Sequence, residues 1–294
     1  MIVVADGVRL HVEQRGAGVP ALVFLHYWGG SSRTWRHVVD RLAPDFRTVA
    51  IDQRGWGQSD APPTGYALAD LADDAMAVIA ALDLELYVLV GHSMGGKVAQ
   101  LIASRCPPGL IGVALVAPAP PGPLGLPLDA RRAMVRAYDD RASVTAAVEH
   151  VLAPHGLTVQ DLETVVADSL AGAPAARLAW PLESSQEDLT AAVAAIAVPV
   201  MIISGADDRV DPPETLRREL LTRIPHAQFH VLPGVGHLSP YEAPAAVAGL
   251  LRDFVHAQTA GDGFAVPAHP IGGLCARCGI ALMNTPVVHP ASRR

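Results

Sequence analysis

The chain has 294 residues, half of them hydrophobic and 17% charged, and a formal net charge of −7 at pH 7. That composition places it among globular proteins rather than disordered or collagen-like chains. The acidic balance and the lack of a Lys/Arg-rich run weigh against a nucleic-acid binder. No stretch reaches the roughly 18–20 apolar residues that span a bilayer, so no membrane partner is expected. The N-terminus Met1-Ile2-Val3-Val4-Ala5-Asp6 lacks the basic and apolar regions of a secretory signal. The three cysteines, Cys106, Cys275 and Cys278, do not make a disulfide framework. A cytoplasmic location and a monomer or homodimer are the expectations.

In chain order, Val8 to Glu13 alternates apolar and polar residues and predicts an antiparallel edge strand. Apolar β-branched runs then predict buried strands at 21–26, 48–52, 87–90, 111–116, 200–204 and 228–232. Between them, helical periodicity predicts helices over 34–42, 68–82, 94–104, 213–223 and 240–256. Strands alternating with helices predict a mostly parallel central sheet flanked by helices, an α/β fold. The alternation stops after Pro118-Ala119-Pro120-Pro121-Gly122-Pro123, a stiff, non-helical exit from a strand. Helical stretches at 129–141, 144–152 and 159–170 follow before Pro199 opens the next strand. Residues 119–186 are therefore expected to form an inserted helical cap over the C-terminal strand ends, where open α/β sheets bind ligands. Residues 1–118 and 187–258 form the core, and 259–294 an appended, largely disordered tail.

Chemistry is concentrated in three loops. Gly91-His92-Ser93-Met94-Gly95-Gly96 sits between an apolar strand and a helix, the setting that G-x-S-x-G needs to hold a serine at the tip of a sharp turn. The helix N-terminus and the Met94 N–H would face an oxyanion formed at Ser93. A serine needs a base, and the base an orienting carboxylate. With this elbow the acid lies between serine and histidine in the chain. Gly205-Ala206-Asp207-Asp208-Arg209-Val210-Asp211-Pro212 leaves one strand and Gly236-His237 the next. His237 is the candidate base. Asp207 and Asp208 both remain candidates on this reading, and the one not facing His237 would be solvated or paired with Arg209. No histidines show metal-ligand spacing, and neither a metal nor another cofactor is expected. Cys275-Ala276-Arg277-Cys278 resembles half a zinc knuckle, but a structural zinc needs four ligands and no second C-x-x-C exists.

Together these residues resemble the α/β-hydrolase superfamily, especially its capped, esterase-like members, over about residues 5–257. Asp52-Gln53-Arg54-Gly55-Trp56-Gly57-Gln58-Ser59 looks like its D-x-R-G-x-G-x-S loop, and Gly236-His237 with Glu242 and Pro244 like its G-H-x-x-x-x-E-x-P. The resemblance implies the α/β-hydrolase fold with a cap. It selects Asp208 as the acid through the G-x-x-D-x-x-x-P spacing from Gly205 to Pro212. It also places an oxyanion loop at His26-Tyr27-Trp28-Gly29-Gly30, with Trp28 N–H as the donor beside Met94 N–H; Tyr27 stands where the family usually has Gly. The D-x-R-G loop is expected to be structural, Asp52 and Arg54 binding backbone or each other. Tyr27, Trp28, Met134, Tyr138 and Trp180 are candidate pocket residues. The implied activity is hydrolysis of a small to medium hydrophobic ester or lactone through an acyl-enzyme. Cofactor-free perhydrolase or haloperoxidase activity, C–C bond hydrolysis, and a non-catalytic ligand receptor are the alternatives.

Overall fold

The computed structural model describes residues 1–260. Among these, eight strands form one sheet: β1 (Ile2–Ala5), β2 (Val8–Arg15), β3 (Ala21–Leu25), β4 (Arg47–Ile51), β5 (Tyr87–His92), β6 (Leu110–Val116), β7 (Val200–Gly205) and β8 (Gln228–Leu232). Their spatial order is β1-β2-β4-β3-β5-β6-β7-β8. Strands β3 to β8 run parallel, and β2 pairs antiparallel with both β1 and β4. The expected edge strand is thus the second strand: β1 covers its outer side through Ile2↔His11 to Ala5↔Val8. The turn Asp6-Gly7, both at positive φ, folds a segment too short to read alone back onto β2.

Every residue of β3, β5 and β7 is buried, because helices cover both faces of the sheet. On one face Leu22, Phe24, Val88 and Val90 meet α1 (Arg36–Leu42) and the C-terminal helix through Val38, Leu42, Val247 and Leu251. On the other, Val23, Leu25 and Leu89 pack with α2 (Leu68–Ala81) and α3 (Met94–Ser104). Between β6 and β7 lie four α-helices, α4 (Leu128–Arg136), α5 (Arg141–Ala147), α6 (Val159–Ala171) and α7 (Pro174–Leu182), with shorter helical turns between and after them. A continuous helix over 129–141 does not form: Asp140 accepts from Ser143 N–H at 2.8 Å and starts α5 afresh.

These helices rest on the loops at the C-terminal ends of the parallel strands. Tyr138 and Ser169 hydroxyls donate to the Trp28 and Gly29 carbonyls, at 3.0 Å each. Ala173 N–H donates to Gly55 O, and Leu152 O accepts from His237 N–H at 2.8 Å. Asp168 binds Ser31 and Arg33, and Asp161 binds Arg36 and His37.

After β7 the chain turns once as α8 (Pro213–Leu216) and widens over Arg217–Leu221. The helix expected over 240–256 divides into α9 (Ser239–Glu242) and α10 (Pro244–Thr259). Pro244 forces the break, since its ring disfavours helical backbone at Ala243, which sits at φ −138°, ψ 51°. Thr259 closes α10, and the rest of the expected tail, with Cys275 and Cys278, lies outside the described residues apart from Ala260.

Candidate active site

Ser93 joins β5 to α3 with φ 52° and ψ −114°, a region that costs a non-glycine residue about 1–3 kcal/mol. The neighbouring glycines make the turn possible. A Cβ on Gly91 would lie 2.4 Å from Gly95 O, and one on Gly95 would lie 2.5 Å from Leu25 O. The turn is tied down by Ser93 N–H to Val116 O, and by Lys97 and Ala119 N–H to Ser93 O.

His237 is buried in the loop after β8, its Nδ1 2.9 Å from Asp208 Oδ2. A carboxylate only accepts, so Nδ1 carries the proton and Nε2 is the basic nitrogen. The other oxygen, Asp208 Oδ1, accepts from Val210 N–H at 2.8 Å and Asp211 N–H at 3.0 Å. Burial alone would lower the His237 pKa. The Asp208 charge and hydrogen bond, with Asp211 and Glu242 behind them, outweigh it and hold the pKa above the ordinary imidazole value. Glu242 also fixes the loop, its Oε1 accepting from Gly236 N–H at 2.9 Å.

The geometry separates the two aspartates. Asp208 is buried against His237, while Asp207 lies at the surface 2.7 Å from His155 Nε2. Arg209 instead reaches the His150 carbonyl. His92, the residue before the serine, links the elbow to the candidate base: its Nε2 donates to His237 O at 2.8 Å, and the two rings are 5.3 Å apart. Burial, followed by the His237 charge, pushes the His92 pKa far down, so it stays a neutral strut.

The 26–30 loop is equally constrained. His26 Nε2 accepts from Gln53 N–H at 3.0 Å, and Nδ1 donates to Tyr27 O at 2.7 Å. Its burial lowers the pKa, consistent with this neutral tautomer. Gly30 N–H also donates to Tyr27 O. A trans peptide points its N–H opposite its C=O. Two donors holding the Tyr27 carbonyl therefore turn Trp28 N–H the other way. Among the described residues neither Trp28 N–H nor Met94 N–H has an acceptor.

Tyr27 replaces the expected glycine without entering the left-handed region. Its ring packs 5.1 Å from His92, above Gly30, where a Cβ would stand 2.7 Å from Tyr27 Cε1. Trp28 stacks on Tyr138 with centroids 4.1 Å apart at 19°. Met134 and Trp180 belong to the apolar cluster that Trp28, Tyr138 and Met94 share.

The Asp52–Ser59 loop is a brace. Asp52 accepts from Ser32 and Gln58 N–H at 2.6 and 2.9 Å, and its Oδ2 is 2.9 Å from His11 Nδ1. Arg54 turns away from Asp52 and grips buried Asp74 with two bonds of 2.6 and 2.7 Å, a partner 20 residues on. Sequence reasoning missed two groups near the site. Lys97 is buried in α3, its Nζ donating to the carbonyls of Gly122 and Ser185, one from each end of the inserted segment. Burial lowers its pKa to about 8. The other is Asp211, also buried. A lone lysine four residues after the serine, and a third acid in the 205–212 loop, were the available signals.

This strand–elbow–helix arrangement, the sheet order and the cap-like helices define an α/β hydrolase. The chain belongs to that family: a profile of the alpha/beta hydrolase fold matches residues 20–244. It is 32% identical to a non-heme chloroperoxidase from Streptomyces lividans over 72% of this chain and 83% of that protein. Its fold superposes on an esterase from Exiguobacterium antarcticum with a TM-score of 0.80 at 25% identity, over 87% of this chain and 98% of that one. An N-acyl homoserine lactone degrading enzyme aligns with TM-score 0.77 and 27% identity, over 86% of this chain and all of that one. Among the described residues no helix is long and apolar enough to cross a membrane.

Proposed function

We propose that the protein is a serine hydrolase that cleaves a carboxylic ester or lactone of a small to medium hydrophobic substrate through an acyl-enzyme on Ser93. The observation that carries this reading is the buried Asp208–His237 pair hydrogen-bonded to the elbow residue next to a strained Ser93. His237 Nε2 takes the Ser93 proton as Oγ attacks the carbonyl carbon, and Trp28 and Met94 N–H receive the oxyanion. His237 then gives its proton to the leaving alcohol. Water, deprotonated by the same nitrogen, attacks the acyl-enzyme and releases the acid. Asp208 orients the imidazole and stabilises its cation. The cluster of Trp28, Met134, Tyr138 and Trp180 supplies apolar surface for the substrate.

The test is hydrolysis of p-nitrophenyl esters from acetate to decanoate by wild type and Ser93→Ala. Activity present in wild type and lost in the variant is expected, with the optimal chain length sizing the acyl site. Equal rates in both would refute a serine route. A second reading follows from the chloroperoxidase relative: hydrogen peroxide replaces water at the acyl-enzyme and leaves as the peracid. It predicts Ser93-dependent halogenation in acetate buffer containing peroxide and halide.

A further inference from the structure

Six aspartates are buried among the described residues: Asp52, Asp74, Asp161, Asp168, Asp208 and Asp211. Five have side-chain partners, supplied by backbone N–H groups, arginines, Ser31 or histidines. The Asp211 carboxyl alone makes no hydrogen bond or ion pair among the described residues, although the residue is only 4% exposed. Removing a carboxyl from water without a partner is costly, and native structures rarely leave such a group unexplained.

Its backbone is tied beside the candidate acid, because Asp211 N–H donates to Asp208 Oδ1 at 3.0 Å. The charged groups acting on it come from three elements: His237 from the loop after β8, Asp208 from its own loop and Lys97 from α3. Lys97 does not neutralise it by contact, since that ammonium is directed at Gly122 O and Ser185 O. Among the described residues Asp211 is thus a buried acceptor without a donor, next to the pair that would work on the ester.

We propose that Asp211 is a substrate-recognition residue whose carboxyl accepts a hydrogen bond from a hydroxyl or amide N–H carried near the ester or lactone carbonyl. This rests on the serine-hydrolase reading and narrows its substrate class to esters or lactones with a hydrogen-bond donor on the acyl part. A hydrogen bond to a charged group contributes about 10- to 100-fold in affinity. Burial pushes the carboxyl up to about 7, with Asp208 adding to the push and His237 and Lys97 opposing it. The acceptor therefore gains its charge, and its strength, as pH rises through neutrality.

Two matched ester pairs test this. Methyl 3-hydroxybutyrate against methyl butyrate isolates a hydroxyl, and N-acetylglycine methyl ester against methyl 4-oxopentanoate isolates an amide N–H. The ratio of kcat/KM within a pair cancels the titration of His237, which both esters share. Wild type should prefer the donor-bearing member of at least one pair by about tenfold or more above pH about 8, and the preferred pair identifies the donor. That ratio should decline as pH falls through about 7. Asp211→Asn should remove the pH dependence of the ratio, and Asp211→Val should bring the ratio close to one; a purely structural role would change stability and leave it alone. Labelling of Ser93 by a fluorophosphonate, run on every variant, reports the nucleophile and an intact fold independently. Normal labelling with ratios near one in wild type, or ratios unchanged in the isosteric Asn variant, overturns the proposal alone. Loss of labelling and turnover in wild type overturns the serine reading and this one with it.

Discussion

Replacing Asp208 by Asn tests the assignment of the acid, and the structure sets the expected size. Asp208 Oδ1 accepts from two backbone N–H groups, so the amide oxygen of an asparagine is required there. Its NH₂ must then face His237 Nδ1, where the carboxylate oxygen now lies at 2.9 Å. Two donors cannot bond each other, so the imidazole moves its proton to Nε2 and can no longer take one from Ser93. A wrong tautomer in a Ser-His-Asp site reduces kcat by about 10⁴, or roughly 5 kcal/mol of barrier. The same substitution at Asp207 removes only a half-exposed contact with His155, worth less than about 1 kcal/mol, and should leave the rate within about twofold. The pH profile offers a second readout. Asp208 raises the His237 pKa, so the acidic limb of kcat/KM should lie above the ordinary imidazole value in wild type. It should move to lower pH in Asp208→Asn. Initial rates on a p-nitrophenyl ester across pH measure both quantities. A larger loss in Asp207→Asn, or retention of more than about a tenth of the activity in Asp208→Asn, would refute the reasoning.

Three further outcomes are expected. Gly95→Ala brings a Cβ to 2.5 and 2.7 Å of the Leu25 and His26 carbonyls; overpacking of this kind costs about 1–3 kcal/mol, and thermal unfolding should show a clear fall in Tm. Tyr138→Phe keeps the stack on Trp28 and deletes the bond to its carbonyl. Its kcat should drop a few-fold to about tenfold with little change in KM, and an unchanged kcat would remove Tyr138 as a positioning residue. Lys97→Met deletes a buried cation whose folded pKa, about 8, lies below the usual 10.5. An unfolded chain binds more protons than the folded one between those values, so wild-type stability from this group rises with pH from about 8 to 10.5. Denaturant titrations should show that rise in wild type and not in the variant.

Legibility in the sequence followed the range of the interaction. β3, β5 and β7 could be read because burial on both faces demands continuous apolar runs, and the elbow because its glycines are local steric requirements. β1 was missed because four residues carry too little periodicity, and its strand character comes from pairing with β2. Asp208 and Asp207 could not be separated by local reasoning: the choice depends on which side of a turn meets a histidine 29 residues later. Arg54 reaches backbone as expected, donating to Gly65 O at 2.6 Å, but its pairing with Asp74 could not be read locally, since the helix carrying that aspartate folds back beside the loop. Lys97 and Asp211 were passed over because a charge in a sequence reads as solvent-exposed until a fold buries it.

The inserted helices are more than a roof over the strand ends. They hold the 26–31 loop at three points: Tyr138 at the Trp28 carbonyl, Ser169 at the Gly29 carbonyl, and Asp168 at Ser31 Oγ. The core holds the preceding carbonyl, Tyr27 O, through His26. Each peptide plane from 27 to 29 is thus held through its carbonyl, and the plane that aims Trp28 N–H shares its Cα with the plane held by Tyr138. A displacement of α4 and the turn after it would therefore rotate the candidate oxyanion donor, and not merely widen access. The same inserted segment meets the candidate base, because Leu152 O, between α5 and α6, accepts from both His237 and Leu238 N–H. Helix α3, which starts at the elbow, meets the two ends of the insertion through Lys97. In this protein the inserted segment is thus hydrogen-bonded to the loop of Trp28, to the loop of His237 and, through Lys97, to the helix that follows Ser93. Substitutions on the inner faces of α4 to α7 should register in kcat as well as in substrate choice.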